Sequence, residues 1–500
     1  MVPSTSFLTI PREVRNLIYQ EYFTVKGGYV LDFESRKLKA ADGSCLDLGL
    51  ISTCRLIAQE TGSIPLAINT ITFCTIYSDD LRLTAGFFDH LLDDLRWLKN
   101  RIFLESKRFI NPDIYANAIS KFPTLKPVLD RILIQDDVMD YNYHNHFPWG
   151  PAPSVHREGI TYILRLLANH HGMDFLGEDH ITPWAQKDVL QLVDLGHTPW
   201  AIPSQNEIDR IVDVLKRPQC NDWHNLFAGY DRLKYRISAA AAAIYFLESI
   251  SDRVRQYIRN IVVHEDRYAV PSQSCHAQGL IPFCKENPHL RIEHRVSLWR
   301  TIFPSETIDR WNIGGETQAS HGTFGTLWCF YITRSVGNWL DDGMAVLHLG
   351  MPPDSMTLVL DGDPLPELCE VMFQKAIQRE VVWQLAFDET HSQNPNFPPN
   401  PWKRVRFCSE LFPTAVRHLV NESSIFRCNF NPGRLLDVES LVDEHRGWSI
   451  DHWLDQYDRL DEEEFHTIPP LPKWHNLVLE NFLTKKEMKR RIEMGRLAGL

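Results

Sequence analysis

Short apolar runs that end in acid constrain this chain most. Residues 131–137 (RILIQDD), 259–266 (RNIVVHED) and 356–363 (MTLVLDGD) each place β-branched or apolar residues ahead of acidic ones. Runs of this length and composition read as buried strands. Each is followed, at some distance, by a helical pattern, at 160–168, 277–286 and 365–387. Residues 291–298 (RIEHRVSL) are a further strand candidate directly after a helix. Strands alternating with helices favour an α/β domain. Their spacing is irregular, so the chain is not a repeat of fixed period. A degenerate leucine-rich-like arc remains one arrangement, although the LxxLxLxxN pattern is absent.

The first 75 residues have a different character. Pro11 suits a first helical turn, and Glu13 favours the helix dipole there. Val14, Leu17, Ile18 and Phe23 recur at roughly helical period, and Gly27-Gly28 ends the run. Residues 29–33 and the segment up to Leu46 predict a hairpin turning near Asp42-Gly43. A second helix is expected over 48–61, with Leu50, Ile51, Cys54, Ile57 and Ala58 on one face. Gly62 and Pro65 break it, 69–73 (NTITF) alternates like a strand, and 84–98 predicts a third amphipathic helix.

Residues 7–23 (FLTIPREVRNLIYQEYF) resemble the opening helix of F-box motifs, with Ile10-Pro11 where Leu-Pro usually stands. Residues 51–73 (ISTCRLIAQETGSIPLAINTITF) look like the second half found in a large fungal family of F-box-like proteins. That family reads approximately LPxEIRNxIY and then TCRQIxxETxxxxxxxNTF. Residues 257–300 are also similar to long fungal proteins of this type, with no established chemistry attached. The resemblance implies a helical module that docks a Skp-type adaptor of a cullin–RING ubiquitin ligase. Pro11, Val14, Leu17 and Ile18 would contribute from the first helix, and Ile51, Cys54 and Ile57 from the second. An exposed amphipathic stripe of this kind belongs to helix-in-groove recognition. About 20 residues, including the hairpin, separate the two helices here, where an F-box has a short loop.

Composition narrows the functions. Lys and Arg number 52 and Asp and Glu 64, a net charge of −12, which argues against a general nucleic-acid binder. The ten cysteines are scattered without a CxxC pair, as expected of reduced thiols in an intracellular protein. No signal-peptide pattern opens the sequence, and its longest nearly apolar run, 237–247, is too short to span a bilayer. Location is therefore expected in cytoplasm or nucleus. Asn421-Glu422-Ser423 matches a glycosylation acceptor and reads as a chance match.

Catalytic motifs are missing: there is no GxxxxGK[ST], GxGxxG, GxSxG, HExxH or EF-hand loop. Gly314-Gly315 and 321–325 (HGTFG) read as turn glycines. Cys275, His276, Cys284, His289 and His294 carry zinc-ligand chemistry, but their spacing fits no zinc module, and a buried structural Cys with surface histidines is expected. Asp136, Asp137, Glu265, Asp266, Asp361 and Asp363 stand at strand ends, where carboxylates bind metal, act as acid and base, cap helices or face water. Tyr141, Tyr143, His144, His146, Phe147 and Trp149 form an aromatic loop of the composition found in recognition surfaces, or one folded over the core. Residues 394–402 form a proline-rich loop. Residues 437–464 hold eleven acidic residues against Arg446 and Arg459, and the last sixteen residues carry a charge of +4 (six basic, two acidic).

The chain thus reads as α+β overall. An F-box-like helical module with a hairpin insertion (1–110) is followed by an irregular α/β recognition domain (111–480) and a basic tail (481–500). The expected function is a non-catalytic adaptor that presents a protein substrate to a ubiquitin ligase, without cofactor, metal, nucleic acid or membrane. Two alternatives stand beside it: an enzyme or small-ligand binder with its site at the acidic strand ends, and a scaffold without a ubiquitin link.

Overall fold

The computed structural model describes residues 7–134, 151–171, 189–196, 198–215, 233–307, 326–392, 408–461, 463–484 and 486–487. It is mixed α/β. Nine strands are described: β1 (Tyr29–Asp32), β2 (Lys37–Ala40), β3 (Thr70–Cys74), β4 (Asn260–Glu265), β5 (Arg291–Ser297), β6 (Leu327–Trp328), β7 (Met356–Asp361), β8 (Phe426–Cys428) and β9 (Glu464–Phe465). Seven make one sheet in the order β2-β1-β3-β4-β5-β7-β8, parallel throughout except for the β1–β2 hairpin; β6 and β9 pair separately.

From β1 onward the parallel strands follow one another in chain order across the sheet. Crossovers between parallel strands are nearly always right-handed, so steps in one direction bring every connection back over the same face. The side chains agree. Ile71 and Phe73 of β3, Ile261, Val263 and Glu265 of β4, Ile292, His294 and Val296 of β5, and Leu358 and Leu360 of β7 are buried. Helices meet that face: Phe246 of the Ala239–Ser249 helix lies 5.5 Å from Phe73, and Trp339 of the Cys329–His348 helix lies 5.7 Å from His294. On the opposite face Thr72, Val262, His264, Glu293, Arg295 and Thr357 are half-exposed, while Val359 and Asp361 of β7 are buried.

Three asparagines brace neighbouring strands. Asn69, ahead of β3, donates to the Phe23 carbonyl and accepts from Val25 N ahead of β1 (both 2.8 Å). Asn287, ahead of β5, donates to the Arg255 and Ile258 carbonyls ahead of β4 (both 2.9 Å). Asn429, past β8, donates to Asp361 and accepts from Gly362 N past β7 (both 2.7 Å). Each satisfies main-chain groups that the ladder leaves unpaired.

Strands β3, β4, β5 and β7 stand where the sequence predicts them. Residues 131–134 do not. They end a helix, Lys126–Ile134, in which Val128, Leu129 and Ile132 are buried at helical spacing. The hairpin turns at residues 33–36 rather than at Asp42-Gly43. The expected 48–61 helix is a 3-10 turn (Gly49–Ser52) followed by a shorter α-helix (Arg55–Thr61). Across the expected boundary at 110, β1, β2 and β3 share one sheet with β4, β5, β7 and β8. Asn481, the first residue of the expected third segment, is buried and accepts from Arg236 at 2.8 Å.

Candidate functional site

The Arg12–Phe23 helix has two unlike faces. Arg15, Tyr19 and Phe23, four residues apart, point inward. Tyr19 and Phe23 join Ile57 in a small core of their own. Arg15 donates to both carboxylate oxygens of Glu60 on the Arg55–Thr61 helix, at 3.0 and 2.5 Å, and to the Ile10 carbonyl at 2.6 Å. The Tyr19 hydroxyl donates to the same carboxylate at 2.8 Å. The Arg15 hydrogen bond holds Glu60 below the usual carboxylate range, and burial pushes the Tyr19 phenol up. This network clamps the two helices in one orientation.

The other face is apolar and turned to solvent. Leu17 is 66% exposed, Val14 43%, Ile18 40% and Tyr22 42%. Leu8 and Leu48 are also exposed. Of the residues assigned to a docking stripe, Pro11 and Cys54 are exposed and Ile51 is half-buried. Ile57 is a correction. At 6% exposure it packs beneath Tyr19 and Phe23 and has almost no surface to give a partner.

The residues that carry the F-box-like resemblance divide in the same way. Arg15, Tyr19, Glu60, Thr61 and Asn69 all make internal hydrogen bonds. Val14, Leu17 and Ile18 do not face the interior.

Among the described residues, the strand-end carboxylates do not converge on a common site. Glu265 is fully buried and accepts from Ala239 N and Ala240 N at 2.9 Å each, capping the Ala239–Ser249 helix, and from Gln273 at 2.6 Å. Asp266 accepts from Thr75 N and Oγ1 at 3.1 and 2.7 Å. Asp361 accepts from Asn429, from Asp363 N at 3.0 Å and from Arg295 at 3.3 Å. Asp136 and Asp137 lie outside the described residues. Sequential strand order also offers no switch point, where open α/β sheets bind ligands. A shallow cavity of about 590 Å³ lies between the Val189–Asp194 and Gln205–Leu215 helices, and none of these acids lines it.

The cysteine–histidine group is dispersed as well. Cys284 is a core residue, its thiol pushed up to about 12 by burial. Cys275, also raised to about 12 by burial, accepts from Arg157 at 3.1 Å. His276 and His294 are buried rather than on the surface as expected; His289 is exposed. His276 sits 2.6 Å from Ser238 Oγ, a serine–histidine contact, but both residues are sealed in the core. Ser238 caps the Ala239–Ser249 helix, and burial draws His276 down to about 4. Among the described residues, no three or more His, Cys, Asp or Glu side chains gather as metal ligands, and no helix is long and apolar enough to cross a membrane.

The aromatic loop Tyr141, Tyr143, His144, His146, Phe147 and Trp149 lies outside the described residues. So do 308–325 with their glycines, the proline-rich 394–402 and most of the basic tail.

Sequence reasoning missed the half-exposed sheet face. Its signal was present in RIEHRV, where Arg291, Glu293 and Arg295 take every second position, whereas a parallel sheet covered on both faces reads as unbroken apolar runs; IVVHE does not alternate.

Comparison with family models, curated proteins and solved structures finds no match for this chain.

Proposed function

We propose that this protein is a substrate-recognition adaptor: its N-terminal module docks a Skp-type subunit of a cullin–RING ubiquitin ligase, and its α/β portion binds the protein to be modified. The observation that carries this reading is the exposed ridge of Val14, Leu17, Ile18 and Tyr22, on a helix whose inner face is fixed by Arg15, Tyr19 and Glu60. A rigid helix with an apolar outer face is prepared for helix-in-groove binding, because little conformational freedom remains to be lost on docking. The α/β portion supports the reading in a second way. Strands in chain order leave one sheet face half-exposed, and a free sheet face is what a leucine-rich-like layer would present to a partner.

The test is direct binding of the full chain to a purified Skp-type adaptor by calorimetry. Burying a leucine side chain contributes about 1.5–3 kcal/mol. Leu17→Asp is therefore expected to weaken binding by roughly 30-fold or more, with an unchanged circular dichroism spectrum. No binding by the unmodified chain would end the adaptor reading.

A further inference from the structure

The half-exposed sheet face has a definite chemistry. Strand register sets Cys74, His264, Arg295, Val359 and Arg427 in one row and Thr72, Val262, Glu293 and Thr357 in the next. Arg291 begins β5 on the same face, opposite Asn260. Arg295 is shared between Glu293 at 2.9 Å and Asp361 at 3.3 Å.

Arg291 and Arg427 are different. The Arg291 guanidinium donates to the Pro288 and Leu290 carbonyls at 2.7 and 3.0 Å. That of Arg427 donates to the Ser424 and Phe426 carbonyls at 3.1 and 2.6 Å. The pattern is the same at both positions, reaching back one and three residues. Among the described residues neither meets a carboxylate. Each is held by one nitrogen, which leaves its other donors free for the two-pronged pairing that a guanidinium makes with a carboxylate.

We propose that this face receives an acidic polypeptide segment, anchored by Arg291 and Arg427 with Arg295 between them, on the reading that the α/β portion binds a protein substrate. One feature favours an acidic polypeptide over a nucleic acid: the outward positions in register carry no Phe, Tyr or Trp ring on which successive bases could stack. The chain's net charge of −12 repels either polyanion in general, so attraction must come from these local arginines. The carbonyl contacts hold both arginines in place before binding, which lowers the entropy lost on capture.

The experiment titrates a fluorescein-labelled decaglutamate peptide with the full chain at low salt, read by anisotropy. Saturable binding that weakens with added salt is expected. The double variant Arg291→Glu/Arg427→Glu is expected to lose at least tenfold in affinity, and the milder Arg291→Gln/Arg427→Gln severalfold. Arg210→Glu, on the exposed side of the Gln205–Leu215 helix, is expected to bind as the unmodified chain does. Thermal unfolding of each variant checks that the fold persists. No saturable binding, or full binding by both double variants, overturns the proposal; so does decathymidylate binding more tightly than the peptide through the same arginines. Adaptor binding by the unmodified chain is measured alongside. A chain that binds adaptor but not peptide loses only this inference, and one that binds peptide but not adaptor loses the ligase connection and keeps the surface.

Discussion

Lys99 shows what burial does to a single charge. It is 5% exposed, and its ammonium donates to the Val193 and Leu195 carbonyls at 3.3 and 3.4 Å and to Thr161 Oγ1 at 3.4 Å. These long bonds replace hydration poorly. Burial first, and then the nearby Arg165, draws the amine down to about 8. Unfolded, a lysine titrates near 10.4. Between these values the unfolded chain binds the extra proton, so the residue's contribution to stability improves as pH rises through that window. Lys99→Met removes this dependence. The stability of the unmodified chain relative to Lys99→Met should therefore rise by up to roughly 3 kcal/mol from pH 8 to pH 10.5, measured by urea denaturation at each pH. A difference independent of pH would show that Lys99 is not desolvated as described.

At the level of elements, the joint between the first helix and β1 rests on Gly28. Its φ is +71°, and a Cβ there would meet the Thr70 carbonyl oxygen at 2.3 Å. Neither backbone can yield without opening the β1–β3 pairing. Gly28→Ala is therefore expected to cost at least ~2 kcal/mol, seen as a lower chemical-denaturation midpoint, whereas Gly43→Ala meets no neighbouring atom and should cost less. Gly27-Gly28 was legible in the sequence as a stop signal; the close approach that requires glycine there was not. Strand β3 could be read because NTITF alternates, and β4, β5 and β7 because their β-branched and apolar residues fall in short runs. The 131–137 run could not, because three apolar residues in a row (Ile132, Leu133, Ile134) suit either a strand or the end of a helix, and Val128 and Leu129 upstream decide the matter. The exposed ridge was legible as an apolar stripe. Its division into a clamped inner side and a free outer side depended on Glu60, 45 residues from Arg15, a pairing that helical spacing does not reveal.

At the scale of the whole molecule, the N-terminal segment is the beginning of the sheet rather than a separate bead. A fragment of residues 1–110 would leave Ile71 and Phe73 of β3 without β4 and without Phe246 above them. It is expected to show no cooperative thermal transition, while the full chain unfolds without a separate early step from this segment. A sharp, reversible transition in the fragment would restore an independent module. The order of the strands has one more consequence. As a ribosome releases this polypeptide from its first residue to its last, each new strand of the parallel layer finds its neighbour already made, and none must wait for a later one to slot between two earlier ones. The layer can therefore be laid down like courses of brick, its growing edge being whatever has most recently emerged.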